Sequence, residues 1–301
     1  MNGIISPADN KTLGLIAGNG NFPLAFIEEA KRQGFKVVVA AHIGETDPSI
    51  STMAASIVWV YLGQVDKIVK FFRSNGVKTA AFLGGIKRVG VVDAIPLLNR
   101  FWSEKKRPLA LDWRALRIIK RIKSLHDDSL LRGVASEFED AGIKIISASL
   151  VLQKWLIPSG LLVSYSPISV SDRNDLLIGW DAAEALGLLD IGQTVVVSRG
   201  VVIALEAVEG TDSAIKRAGL LSSGAGGVVV KLSKPQQDLR LDLPSIGVAT
   251  LNMMSAAKLN TLLVRANTTL IFEPHQVVQA AQSFGINILA VESREDLQRL
   301  C

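Results

Sequence analysis

Apolar and polar positions follow two alternating periods along the first half of the chain. Residues 12–18 (TLGLIAG), 36–41 (KVVVAA), 56–62 (SIVWVYL) and 78–85 (KTAAFLGG) are short apolar or β-branched runs, which predict buried strands. Between them, 22–34 and 64–76 carry apolar residues at helical spacing. Each ends in a glycine, Gly34 or Gly76, as helices closed by a C′ glycine do. Strands alternating with helices of this length predict a mainly parallel sheet with helices on both faces. Two more helices, at 113–124 and 128–141, lead to a strand at 143–149.

Beyond residue 150 the pattern changes. The stretch 161–175 (LLVSYSPISVSDRND) bears serines and a proline and reads as a connection with little helical periodicity. Residues 194–210 read as two strands turned at Arg199-Gly200, a hairpin signal. Helices are expected at 212–219, 248–258 and 274–284, a bent strand or a pair of strands at 261–273, and a last strand at 286–292. The expected fold class is therefore α/β in two domains. A Rossmann-like domain with a mainly parallel sheet spans 1–150, and a mixed α/β domain spans 151–301 and carries the candidate catalytic carboxylates.

Composition narrows the function classes. Among 301 residues, 49% are hydrophobic and 20% charged, which fits a large packed core. No apolar run reaches the roughly 18–20 residues of a membrane-spanning helix. The N-terminus lacks the basic and apolar regions of a signal peptide, so a cytoplasmic protein is expected. Cys301 is the single cysteine, which excludes disulfide frameworks, Cys-rich zinc sites and CxxC redox chemistry. A net charge of +5 suits an anionic partner without choosing among nucleotide, nucleic acid and membrane. The densest basic stretch, RALRIIKRIK at 114–123, predicts an amphipathic helix with its apolar stripe toward the core. Its basic face reads either as solvated or as a contact for an anion or membrane surface. Few aromatics, none interleaved with these charges, argue against nucleic acid as partner.

Three stretches hold candidate chemistry. Gly18, Asn19 and Gly20 sit at a strand-to-helix turn, where backbone amides can cradle a phosphate. The dinucleotide fingerprint wants a third glycine where Pro23 stands, and an acid ending the second strand, which here ends VVVAAHIG. A nicotinamide site, another nucleotide or phosphate site, and a purely structural turn stay open. His42, His126 and His275 show no metal-ligand spacing, and no GxSxG elbow supports a serine triad. In EAVEGTDSAIKRAG (206–219), Glu206 and Glu209 precede a turn at Gly210, and Thr211 or Asp212 starts a helix. That pattern is either ordinary N-capping or a carboxylate and helix-terminal amides at a ligand site.

The third stretch, VVKLSKPQQDLRLDLPSIG (229–247), places Lys231, Lys234, Asp238, Arg240 and Asp242 around two prolines after a buried strand. Paired aspartates are hard oxygen ligands for Mg²⁺ or Mn²⁺, and Lys and Arg neutralise phosphate oxygens. Together they suit phosphoryl transfer to water; a salt-bridged loop is the alternative.

EAVEGTDSAIKRAG followed by GGVVVKLSKPQQDLRLDLPSIG resembles the C-terminal signature of the LpxI-type UDP-2,3-diacylglucosamine pyrophosphatases. LGLIAGNGNFPLAFIEEAKRQG is similar to that family's start, and HDDSLLRGVASEFEDAGI resembles the close of its first domain. One departure is LGGIKRVGVVD, where Arg88 is followed by Val89 rather than by a nearby proline. The resemblance implies metal-dependent hydrolysis of UDP-2,3-diacylglucosamine to UMP and 2,3-diacylglucosamine 1-phosphate (lipid X) in lipid A biosynthesis. It further implies two domains clasping the lipid at the cytoplasmic face of the inner membrane. Peripheral membrane contact and a homodimer are left open, and no nucleic acid is expected. On this reading Asp238 and Asp242 hold Mg²⁺ (or Mn²⁺) and position the attacking water. Lys231, Lys234 and Arg240 neutralise the phosphoryl oxygens. Asp212 with Thr211 and the helix-terminal amides gives a further contact, and Gly18, Asn19 and Gly20 approach the nucleotide or phosphate. The rival readings are a nicotinamide- or other nucleotide-dependent oxidoreductase, and a basic module binding RNA or a membrane surface through 114–123.

Overall fold

The computed structural model describes residues 11–86, 110–122 and 127–300. The chain divides into two compact units, Met1–Leu152 with Asp238–Asp242, and Gln153–Gln237 with Leu243–Cys301. The predicted α/β class, a parallel sheet followed by a mixed one, is what the chain adopts.

In the first unit, β1 (Thr12–Ala17), β2 (Lys36–His42), β3 (Ser56–Val60), β4 (Thr79–Leu83) and β5 (Lys144–Ile146) form an all-parallel sheet in the order β3-β2-β1-β4-β5. Helices α1 (Phe22–Arg32), α2 (Val65–Ser74), α3 (Trp113–Arg121) and α4 (Asp127–Asp140) accompany it. Side chains alternate along each strand, so Ile16, Val38, Ala40 and Val60 share one face. There they join Ile68 and Phe72 of α2, Ile118 of α3 and Phe138 of α4 in one core. Leu13, Leu15, Val37 and Val39 are buried on the other face. Each fully buried side chain of this size contributes roughly 2 kcal/mol.

Leu241 belongs to the same core, and Ser147 Oγ donates to the Leu239 carbonyl at 2.8 Å. The burial of this one leucine brings Asp238–Asp242 into the first unit. A boundary near 150 assigns Asp238 and Asp242 to the second domain; the packing assigns them to the first.

Helix α3 also differs from its expected form. Asp112 caps it, accepting from the backbone N–H groups of Arg114 and Ala115 at 3.1 Å each. Ala115 and Ile118 are buried, but Leu116 and Ile119 are exposed, so only part of the apolar stripe faces the core. The basic face is partly paired and partly solvated, with Lys120 and Arg121 exposed. Arg114 and Arg117 both pair with Glu137 of α4, which is 1% exposed, and Arg121 lies 3.6 Å from the same carboxylate. Arg114 also donates to Asp66 at 3.0 Å. Lys123, His126 and the Arg88–Val89 departure lie outside the described residues.

The second unit has a six-stranded mixed sheet, β6-β13-β11-β9-β7-β8. Its members are β6 (Gly160–Val163), β7 (Thr194–Ser198), β8 (Val201–Leu205), β9 (Val228–Lys231), β11 (Thr261–Arg265) and β13 (Asn287–Val291). Strands β9, β11 and β13 run parallel to one another, and β6 and the β7–β8 hairpin run antiparallel to their neighbours. β10 (Ser245–Ile246) and β12 (Leu270–Ile271) make a separate two-stranded sheet, so 261–273 is a pair of strands. Arg199 and Gly200 both have positive φ, as a two-residue hairpin turn requires. Buried Asp175 accepts from both their N–H groups, at 2.9 and 2.6 Å.

The largest difference from the sequence reading is α5 (Val170–Leu188). The expected connection at 161–175 instead contains β6 and the start of this helix, whose N-cap Ser169 accepts from the Asp172 N–H at 3.0 Å. Leu176, Trp180, Ala183 and Leu186 of α5 cover Val195, Val197, Val228 and Val230. The opposite face, with Val196, Val229, Leu262 and Ile288, is covered by α6 (Thr211–Ser222), α7 (Val248–Ala256) and α8 (Pro274–Phe284). A last helix, α9 (Arg294–Leu300), follows β13. No helix among the described residues is long and apolar enough to cross a membrane.

Candidate active site

The turn after β1 is built by backbone contact rather than by side chains. Gly18 N–H donates to the Leu83 carbonyl at 2.9 Å, and Asn19 N–H donates to the Gly85 carbonyl at 2.7 Å. A Cβ on Gly18 would lie 2.4 Å from Gly85 O, so only glycine lets the two loops meet. This turn closes the point where the strand order reverses, between β1 and β4. The Asn19 amide is thereby engaged within the protein. Gly20, at φ +87°, opens on empty space instead.

His42, the last residue of β2, is a structural tie. Its Nδ1 lies 2.9 Å from the Ala17 carbonyl, and its N–H donates to Thr46 Oγ1 at 2.9 Å. Thr46 in turn donates to the same Ala17 carbonyl at 2.6 Å. Burial pushes the imidazole pKa down, which keeps it neutral and suited to this role. The tie fixes the loop 43–48, which carries Glu45 beside the turn; Asn19 Nδ2 donates to Glu45 Oε2 at 3.2 Å.

The segment after β9 is heavily paired. Lys231 ends β9, is buried and donates to the Ser245 carbonyl at 3.0 Å. Lys234 forms an ion pair with Asp190. Asp238 is clasped by Arg240: Nε reaches Oδ1 at 3.0 Å and Nη2 reaches Oδ2 at 2.7 Å. Arg240 Nη1 also donates to Glu139 at 2.9 Å. The guanidinium holds the Asp238 carboxyl below the usual carboxylate range, and Asp238 in turn raises the Arg240 pKa. Leu241 and Asp242 return their N–H groups to the Asp238 carbonyl, at 2.8 and 3.3 Å. One hydrogen-bonded turn therefore carries both aspartates, and Asp242 is exposed. Lys234 and Arg240 thus have carboxylate partners, as in a salt-bridged loop.

Among the described residues, no three His, Cys, Asp or Glu side chains converge as a metal cage. Asp238 and Asp242 lie on one turn, with Asp238 held by Arg240. A hard ion such as Mg²⁺ takes one or two carboxylates and draws its other oxygens from phosphates and water.

The 206–212 stretch has a different construction from capping. The N-cap of α6 is Gly210, at φ +83°, without a side-chain hydrogen bond. Thr211 donates to Glu206 Oε1 at 3.0 Å and lies 3.3 Å from the Thr194 hydroxyl. Glu206 is 8% exposed, and its Oε2 has no hydrogen-bond partner. Asp212 stands exposed in the first turn of α6, while Glu209 pairs with Arg217 at 3.0 Å. Gly18–Gly20, Asp238, Arg240 and Asp242 thus belong to the first unit, and Thr211, Asp212, Lys231 and Lys234 to the second. Glu45, which the sequence reading did not single out, stands three residues beyond the end of β2.

Comparison with known proteins covers the described fold from end to end. Residues 12–155 match the model of the LpxI N-terminal domain, and residues 158–289 that of the LpxI C-terminal domain. The UDP-2,3-diacylglucosamine pyrophosphatase LpxI of Caulobacter vibrioides is 32% identical over 297 residues, covering 95% of this chain and 99% of that one. Solved structures are far more distant. The biotin carboxylase domain of a thermophilic 2-oxoglutarate carboxylase matches with a TM-score of 0.25 at 12% identity, over 62% of this chain and 34% of that one. The biotin carboxylase subunit of pyruvate carboxylase gives 0.25 and 13%, over 71% and 42%. Both lie too far away to inform fold or function.

Proposed function

Because the chain belongs to the LpxI family, we propose that it hydrolyses the pyrophosphate of UDP-2,3-diacylglucosamine to UMP and lipid X, a step of lipid A biosynthesis. The observation that carries this reading is the relative of that activity, whose sequence runs alongside this one for nearly the full length of both.

In the reaction, water forms a bond to one phosphorus as the bridging P–O bond breaks, and the water's proton leaves as the phosphate departs. A carboxylate with a depressed pKa is a weak base, so Asp238 suits orienting water or a cation better than removing a proton. Arg240 keeps its charge throughout and can exchange Asp238 and Glu139 for phosphoryl oxygens, bidentately. That exchange would release Asp238 in the presence of substrate. Lys231 and Lys234 add positive charge after β9, and Thr211 and Asp212 supply polar contacts at the start of α6. We propose Mg²⁺ or Mn²⁺ as cofactor, held by Asp238 and Asp242; bound there, it would draw charge from the phosphoryl oxygens. Peripheral membrane contact forms part of the proposal. The substrate carries two acyl chains, and Leu116 and Ile119 stand exposed on α3 beside exposed Lys120. Arg114 and Arg117, being bound to Glu137, are withdrawn from the rival nucleic-acid reading.

The test is incubation with UDP-2,3-diacylglucosamine in ¹⁸O-labelled water, with and without EDTA. UMP and lipid X are expected, with EDTA abolishing their release; absence of both products from the untreated enzyme sinks the reading. Asp238→Ala and Asp242→Ala are each expected to slow hydrolysis by about 10²-fold, the loss typical of one preorganised charge-stabilising group. Wild-type rates in both would remove these residues from the site.

A further inference from the structure

We infer that Ser147 is a positioning residue of the proposed hydrolase, seating the turn Asp238–Asp242 on the corner between α4 and β5. The inference rests on the hydrolase reading and gives that reading's carboxylates a fixed mount. The turn's sequence, DLRLD, divides its side chains into two groups. Arg240 and Asp242 are exposed, whereas Leu241 is buried in the core that also holds Phe138 of α4 and Ile145 of β5. Charges are presented outward, and the leucine positions supply the hold.

The backbone shows why a hydroxyl is needed. The Asp238 carbonyl is used inside the turn, by the N–H groups of Leu241 and Asp242 at 2.8 and 3.3 Å. Asp238 Oδ1 takes the Arg240 N–H at 3.1 Å. The Leu239 carbonyl has no share in these bonds, and its donor comes from outside the turn: Ser147 Oγ, at 2.8 Å and 92 residues earlier. Ser147 directly follows β5, at the carboxyl edge of the parallel sheet, where ligands of open α/β folds bind. Its single proton goes to Leu239, so Ser149 is the donor in the 2.7 Å contact between the two serine hydroxyls. Two hydroxyls in series polarise each other and strengthen the final bond. Neither hold involves Arg240, so the turn stays seated when that guanidinium exchanges Asp238 and Glu139 for phosphoryl oxygens. A short turn has no core of its own, and about 1 Å of misplacement costs on the order of 10²-fold in rate. Ser147 acts through Asp238 and Asp242 rather than on the substrate.

Steady-state hydrolysis of UDP-2,3-diacylglucosamine and amide hydrogen exchange, both on the full chain, test this together. Ser147→Ala is expected to lower kcat about tenfold, the worth of one hydrogen bond, with KM within about twofold. The Leu241 and Asp242 amides are expected to exchange about tenfold faster, while those of β1 and β4 keep their wild-type rates. Ser147→Thr, which retains the hydroxyl, is expected to restore both readouts. Wild-type kcat in Ser147→Ala overturns the inference, as does unchanged exchange at both amides. Should Ser147→Ala not fold, Ser147→Thr and its isostere Ser147→Val make the same comparison, and equal rates in those two overturn it. Failure of the hydrolase reading is separate: wild-type protein then leaves UDP-2,3-diacylglucosamine uncleaved, while exchange at Leu241 and Asp242 still decides whether Ser147 seats the turn.

Discussion

Two buried glutamates, one in each unit, have opposite surroundings. Glu137 is 1% exposed and is met by Arg114, Arg117 and Arg121. Glu206 is 8% exposed and is met by one hydroxyl, from Thr211, while its Oε2 lacks a partner. A buried carboxylate surrounded by guanidinium groups is complete as it stands, and its purpose is to fasten α3 to α4. A buried carboxylate with an idle oxygen retains a desolvation cost that only a further donor would relieve. The difference separates a fully paired carboxylate from one with a single partner among the described residues. It also explains why Arg114 and Arg117 of the densest basic stretch are engaged within the fold: both pair with Glu137.

The comparison can be broken most forcefully at Glu137. Glu137→Ala removes the carboxylate shared by Arg114, Arg117 and Arg121, leaving Arg114 with Asp66 alone, and is expected to lower stability by about 3 kcal/mol in chemical denaturation. A loss below about 1 kcal/mol would show that the arginines reach water freely and that the cluster fastens nothing. The same cluster has a pH signature of intermediate size. Arg117, then Arg114, holds the Glu137 carboxyl below its ordinary value of 4.5, so the folded protein binds that proton less readily than the unfolded chain. Its contribution is therefore complete above about pH 4.5 and is lost as pH falls through the lower folded value. The stability gap between wild type and Glu137→Gln should be flat from neutral pH down to about 5 and then narrow; a gap that widens with acid would reverse the assignment. Glu206→Gln should give the smallest stability change, within about 1 kcal/mol, because one of its oxygens has no bond to lose. Hydrolysis by Glu206→Gln is expected to slow by about tenfold, the weight of one hydrogen bond, as Thr211 loses its charged acceptor. A large stability loss with an unchanged rate would make Glu206 a fastening like Glu137.

Periodicity carried the first unit because its strands are buried on both faces and its helices end in glycine. It failed at α5, where Leu176, Leu177, Ile178, Trp180, Ala182 and Ala183 surround the helix with apolar residues and leave no one-sided stripe. Its cap, Ser169, sits in a run of serines and a proline that has the composition of a loop. The candidate site was legible as residue types but not as pairings. Lys234 with Asp190 and Arg240 with Glu139 join residues far apart in sequence, and no local pattern encodes such partners.

Leu241 gives the molecule a timetable. The core that it completes begins with residues synthesised first, yet this leucine emerges from the ribosome only after β6, α5, β7, β8, α6 and β9 of the second unit. Units that form in order of synthesis ordinarily close before the next begins. Here the first unit's core includes a leucine made late, and the segment that carries it brings Asp238 and Asp242 with it. The residue that joins the early core and the proposed catalytic carboxylates therefore reach the first unit on one short segment.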